Sequence, residues 1–275
     1  LATSCESRYR PFTFPQSEKD WGFFLLFAIG GHMLIALAAE LFKNGDLKFN
    51  SDMILKKIML ASSENVSLIC FGEAFLQGFD GLTWDHEKDS EIALTANDPV
   101  IEKIRLAAAQ SSVAVSFGYI ERSAEVFYSS NIFISDSGKI LNNFRRLSPG
   151  WKVPYADNLY YKEGKDFSLF EYMGKKMATA ICGDLWYDDI LAKAQSLCAD
   201  VFLWPLYVSY SVNDWEDGIK QEYAQRVAGI DAPVLMINSF LPEKDGAMGG
   251  CCVFRDGRVE RELKMGDRGL LIFEV

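Results

Sequence analysis

An α/β fold, one layered domain with helices packed on sheets, is predicted for this chain by three observations. From Met33 onward, short apolar runs alternate with amphipathic helical stretches. The 275 residues are 49% hydrophobic, which is enough for one large core. No internal repeat, low-complexity linker or shift in composition marks a boundary inside that stretch.

The elements follow in order. MLIALAA, from Met33, reads as a buried strand, and a helix over 51–62 places Ile54, Ile58 and Ala61 on one face. VSLICF (66–71) is a second strand. Asp98 and Pro99 supply an N-cap and a proline for the first turn of a helix reaching about Gln110. Strands are expected at 113–119 and 126–135, the latter closed by the turn Asp136-Ser137-Gly138-Lys139. MATAIC (177–182) is the next strand, followed by a helix over 188–198. VFLWP (201–205), a helix carrying Ile219, Tyr223 and Val227 at four-residue spacing, and VLMIN (234–238) continue the alternation. The C-terminal third is β-rich, with CCVF, a turn at Asp256-Gly257, and LLIFEV.

Composition removes several function classes. A net charge of −10 argues against nucleic-acid binding, whose affinity comes mostly from cations on phosphates. With only His32 and His86, a multi-histidine metal centre cannot be built, and Ser/His/Asp chemistry would rest on His86. An enzyme made from this chain therefore uses a carboxylate or a lysine as its base. Six cysteines without a CxxC pair or a regular framework predict reduced thiols and a cytoplasmic setting.

The run at 21–39 has the length of a membrane span, but three glycines and His32 interrupt it and the preceding SEKD is not basic. Its second half is the first core strand, so no membrane association is expected. Residues 1–32 read as an N-terminal tail outside the core, with Gly30-Gly31-His32-Met33 resembling a cloning junction. Residues 33–275 form the domain.

Two strand ends carry reactive residues, and ligand sites in layered α/β folds gather at such ends. The first is VSLICFGE, in which Glu73 follows an apolar strand, with Gly72, Gly78 and Gly81 permitting sharp turns. A desolvated glutamate there suits a general base. The second is ATAICGDLW, in which Cys182 ends a buried strand before Gly183 and a helical start. Backbone N–H groups at such a start are expected to lower the thiol pKa and to hold an oxyanion. Trp84, Trp151, Trp186, Trp204 and Tyr207 are candidates for a pocket wall, although aromatic residues in such numbers more often belong to core packing.

Taken together, these motifs resemble the carbon–nitrogen hydrolase family of nitrilases, aliphatic amidases, carbamoylases and glutaminase domains, over Met33 to Val275. GEAFLQGF matches the family's glutamate motif, AICGDLWYD its cysteine motif, and Asn238 with the glycine-rich stretch to Gly257 its C-terminal pattern. The resemblance implies a four-layer α-β-β-α sandwich, with Glu73 as base and Cys182 as nucleophile. It also implies hydrolysis of a small non-peptide amide through a thioester, without metal or organic cofactor, and at least a homodimer. The family's lysine motif departs here, because Gly138-Lys139-Ile140 and Asn143-Phe144-Arg145-Arg146 put Arg146 at the lysine's place. Arginine stays charged and cannot readily relay a proton, so Lys152 in SPGWK is the expected catalytic amine, with Arg146 the alternative. Asp157 falls where the family often has a second, substrate-positioning glutamate. CGD in place of Cys-Trp-Glu disfavours a nitrile substrate. A non-catalytic binding member and an N-carbamoyl compound hydrolase are the competing readings.

Overall fold

A computed structural model of the protein describes residues 33–275. The expected N-terminal tail and junction, and the first part of the apolar run at 21–39, lie outside the described residues. Among the described residues, four α-helices exceed four residues, α1 (Leu47–Ser63), α2 (Pro99–Ser111), α3 (Asp188–Ser196) and α4 (Lys220–Arg226). The strands of the first sheet are β1 (Leu34–Ala39), β2 (Leu68–Phe71), β3 (Ala114–Ser123), β4 (Val126–Ile134) and β5 (Ile140–Arg145). Those of the second are β6 (Phe170–Tyr172), β7 (Lys175–Thr179), β8 (Val201–Leu206), β9 (Val234–Asn238), β10 (Cys251–Arg255) and β11 (Arg258–Leu263). The last strand, β12 (Gly269–Glu274), returns to the first sheet.

The sheets run β12-β1-β2-β3-β4-β5 and β11-β10-β9-β8-β7-β6. In each, three parallel strands (β1, β2, β3 and β7, β8, β9) are flanked by antiparallel neighbours.

Strand periodicity dictates the layering. Along β1, Ile35, Leu37 and Ala39 point into a core shared with Met177, Leu203 and Leu235 of the second sheet. The alternate residues Ala36 and Ala38 face Ile54, Ile58 and Ile104 of α1 and α2. On the far side, Ala178, Phe202 and Met236 pack against Leu191 of α3 and Tyr223 of α4. The result is the four-layer α-β-β-α sandwich. Each fully buried Leu or Ile in these layers contributes roughly 1.5–3 kcal/mol.

Differences from the sequence expectation have local causes. Helix α1 starts at Leu47, earlier than expected, because the Asp46 carboxylate caps it by accepting the Phe49 N–H at 2.9 Å. Helix α3 stops at Ser196, before Cys198, whose φ of 49° is left-handed and ends the turn. Strand β7 ends at Thr179 rather than at Cys182. Strands β5, β6 and β11 were not anticipated. The first mixes Asn and Arg into its apolar pattern, the second is three residues long, and the third is mostly exposed and polar.

Candidate active site

Glu73 and Cys182 emerge from different sheets, Glu73 two residues beyond β2 and Cys182 three residues beyond β7. The turn at Glu73 is held by close backbone packing. A Cβ on Gly118 of β3 would lie 2.3 Å from Ala74 N and 2.7 Å from Glu73 Cα, so only glycine lets β3 pass there. The Glu73 N–H donates to the Leu206 carbonyl at 3.1 Å, tying the turn to the second sheet.

The Glu73 carboxylate is 1% exposed. Its Oε1 accepts from Ser129 Oγ at 2.9 Å and from Arg146 Nη1 at 2.9 Å. Arg146 follows β5, and its Nε donates to Ser148 Oγ at 2.9 Å. Burial opposes the Arg146 charge, but Glu73, with further contributions from Cys182 and Asp184, outweighs it and raises the Arg146 pKa. A Cβ on Gly183 would lie 2.5 Å from Arg146 Nη2, so the guanidinium rests directly over the residue after the cysteine.

Cys182 has φ of 43°, a left-handed conformation that a non-glycine residue adopts at a cost. Its carbonyl accepts from Trp204 Nε1 at 2.9 Å, and a 3₁₀ turn, Cys182–Trp186, begins there. Burial first, then the charge of Glu73, push the thiol up to about 12. Arg146 and the Tyr207 backbone N–H pull it down without prevailing. This corrects the expectation of a depressed thiol pKa, since no α-helix N-terminus stands behind the sulfur.

Asp184 joins the two loops. Its Oδ2 accepts the Ile181 N–H at 2.9 Å, and its Oδ1 accepts those of Leu147 and Ser148 at 2.9 and 2.7 Å. Burial raises its pKa to about 6, against the pull of these N–H donors and of Arg146. One carboxylate thus fixes the cysteine turn against the segment carrying Arg146.

A cavity of about 500 Å³ opens onto Glu73, Arg146 and Cys182. Trp84, Trp151 and Tyr207 help to wall it, whereas Trp186 and Trp204 belong to the packing of the second sheet against its helices. Among the described residues no group of His, Cys, Asp and Glu is placed to hold a metal. Cys70, Cys182, Cys251 and Cys252 are free thiols. No described helix is long and apolar enough to cross a membrane.

The description Carbon-nitrogen hydrolase matches residues 33–275 of this sequence. The chain belongs to the carbon-nitrogen hydrolase family. Within it, the chain is 29% identical over 113 residues to the bromoxynil-specific nitrilase of Klebsiella pneumoniae subsp. ozaenae, covering 38% of this chain and 32% of that one. It is 21% identical over 170 residues to the glutamine-dependent NAD(+) synthetase of Acinetobacter baylyi, covering 62% of this chain and 30% of the relative. The matches thus span about a third of the length of these curated relatives. Among solved structures, a variant of the Nesterenkonia AN1 amidase from the nitrilase superfamily superposes with a TM-score of 0.72 at 17% identity, over 90% of this chain and 91% of that chain. These likenesses show the nitrilase-type fold.

Arg146 is the cation seated on Glu73. Lys152 lines the same cavity, but its ammonium donates to the Tyr161 carbonyl at 2.7 Å and pairs with Glu163 at 2.8 Å. Asp157 is exposed, and its carboxylate accepts the Leu159 N–H at 2.8 Å within its own turn. Sequence reasoning passed over Ser129, Ser148 and Asp184. Their signal was present, since Ser129 interrupts an apolar strand and Asp184 stands two residues past the cysteine in a buried run.

Proposed function

We propose that the protein hydrolyses a small non-peptide amide through a covalent Cys182 thioester. The observation that carries this reading is the convergence of Glu73, Arg146 and Cys182 on one cavity, with the carboxylate bearing on the thiol. Glu73 takes the thiol proton as sulfur attacks the amide carbon. Negative charge then develops on the former carbonyl oxygen, where Arg146 Nη2 and the Gly183 N–H stabilise it. The tetrahedral adduct collapses as Glu73 returns the proton to the leaving nitrogen, releasing ammonia and leaving the thioester. A water, deprotonated by Glu73, attacks the thioester, and the thiolate leaves and regains that proton as the acid departs.

A raised thiol pKa fits this order, because the proton leaves sulfur only as the carbon–sulfur bond forms. Arg146 serves as the fixed cation, and all proton transfer falls to Glu73. Asp184 holds the parts in register, and Lys152 shapes the cavity wall. A variant of the Nesterenkonia amidase carries the acetamide moiety of fluoroacetamide covalently at its active-site cysteine, which supports a nucleophilic cysteine here. The amide preference over nitriles rests on the CGD sequence. Self-association and a cytoplasmic setting belong to the same reading.

Ammonia release from a panel of small amides and nitriles tests it, with Cys182→Ala beside the wild type. Acid and ammonia formed only with Cys182 present support the reading. Labelling of Cys182 by fluoroacetamide no faster than that of Cys198, with no ammonia formed, overturns it in favour of a binding protein on the same fold.

A further inference from the structure

The charges around the cavity do not balance. Four ionic side chains line it: Glu73, Arg146, Lys152 and Asp80. Glu73 and Arg146 neutralise each other, and Lys152 is paired with Glu163, which lies behind the wall. Asp80 forms no ion pair with a described residue. Its Oδ2 accepts a hydrogen bond from Asn44 Nδ2 at 3.0 Å. Asn44 is itself seated by Gly78, where a Cβ would come within 2.1 Å of Asn44 Oδ1 and where φ is +75°. Asp80 is exposed at the cavity rim, and this neutral amide orients its carboxylate without an ion pair from any described residue.

The surface around that charge is aromatic. Phe79 and Tyr207 meet edge to face at 5.6 Å, and Trp84 and Trp151 stand 6.0 Å apart beyond them. Burial raises the Tyr207 phenol to about 12, and Asp80 and Glu243 add to the rise. Ring faces and a carboxylate without an ion pair each attract a cation, for separate electrostatic reasons. An anionic ligand meets repulsion here, and a purely aliphatic one gains contact area alone.

We infer that the amide hydrolysed at Cys182 carries an ammonium group, seated at Asp80 among these rings. The inference rests on the proposed function and names its substrate class as a cationic amide whose two ends reach Cys182 and Asp80 together.

Pairs of equal shape test it: ω-aminoalkanamides of graded length and the amides in which methyl replaces the ammonium. Binding is read from tryptophan fluorescence in Cys182→Ala, with Trp84 and Trp151 in the cavity wall as reporters, and turnover as ammonia from the wild type. At the optimal length the cationic member is expected to bind about tenfold more tightly at low salt. In Cys182→Ala/Asp80→Asn the preference is expected to fall to about twofold or less. Asn44→Ala, which frees the carboxylate without removing it, is expected to lose part of the preference. Equal binding of the pair at every length, binding of neither, or a preference that survives Asp80→Asn overturns the inference. Turnover without charge preference also overturns it and leaves the hydrolase standing. A charge preference in binding with no ammonia from any amide or nitrile overturns the hydrolase and keeps the cation seat.

Discussion

Arg146 Nη1 donates to Glu73 Oε1 at 2.9 Å, with side chains 7% and 1% exposed. Removing one partner strands the other charge in a buried site, which costs about 3–5 kcal/mol. Arg146→Met is therefore expected to lower unfolding stability by about that amount in urea titration and to abolish turnover. Arg146→Lys keeps the charge but loses the fork that holds Glu73 and Ser148 together. It is expected to fold and to lose about 10- to 100-fold in kcat. Wild-type kcat in Arg146→Lys would show that charge alone suffices.

Lys152 and Asp157 make a contrasting pair. Lys152 pins the cavity wall through the Tyr161 carbonyl and Glu163, so Lys152→Ala is expected to raise KM about tenfold with a smaller change in kcat. Asp157→Ala removes an exposed turn contact and is expected to leave kcat/KM within about twofold, with a loss of about 0.5–1 kcal/mol in stability. A collapse of kcat in Lys152→Ala would return the catalytic amine to that residue.

Asp184 sets an acid limb. With its pKa raised to about 6, protonation below that value puts an O–H among three N–H donors and loosens the cysteine turn. Activity is expected to fall below about pH 6. Stability runs the other way, because a carboxylate whose folded pKa exceeds its unfolded value of about 3.9 favours folding most when protonated. This contribution is full below about pH 4 and is lost as pH rises through about 6. Relative to Asp184→Asn, the wild type is therefore expected to gain stability from pH 6 down to 4, as followed by thermal melts.

Cys182 sets a second pH signature. A thiol raised to about 12 has no plateau in the ordinary thiol range. Its alkylation by iodoacetamide, followed by mass spectrometry, is expected to rise about tenfold per pH unit through pH 9. A plateau near pH 7 would reveal a resting thiolate instead.

Two glycines near the site admit a steric test. Gly118→Ala drives a methyl into the backbone at Ala74 and Glu73 and is expected to cost about 3 kcal/mol or more. Gly183→Ala displaces the Arg146 guanidinium and is expected to lower kcat more than stability. Gly174→Ala, in open space at φ +73°, is the control, expected to cost about 1 kcal/mol with kcat intact.

The layered fold and two of the converging side chains were legible in the sequence for a physical reason. Apolar strands such as VSLICF and MATAIC announce themselves by composition, and a reactive residue at such an end is conspicuous. What stayed hidden was contact across the fold. Arg146 and Lys152 lie six residues apart on one loop, and no local pattern says which cation meets Glu73. That outcome depends on where β5 delivers the residue that follows it and on Glu163 claiming Lys152. Asp184 was overlooked because its partners, Leu147 and Ser148, are more than thirty residues away in sequence. The pKa of Cys182 was misjudged because the 3₁₀ turn offers little dipole against desolvation and the nearby charge of Glu73.

The two groups proposed to react hang from opposite sheets, Glu73 just beyond β2 and Cys182 just beyond β7, across an interface made of side chains such as Leu37, Leu203 and Leu235. Turnover is therefore a gauge of alignment between two slabs. A shear of about an ångström separates proton acceptor from sulfur while each slab keeps its own hydrogen bonds. Catalysis should fail under pressure or mild denaturant before circular dichroism registers any loss of strand, and evolutionary repair of such a lesion would arise in the seam rather than at the reacting atoms.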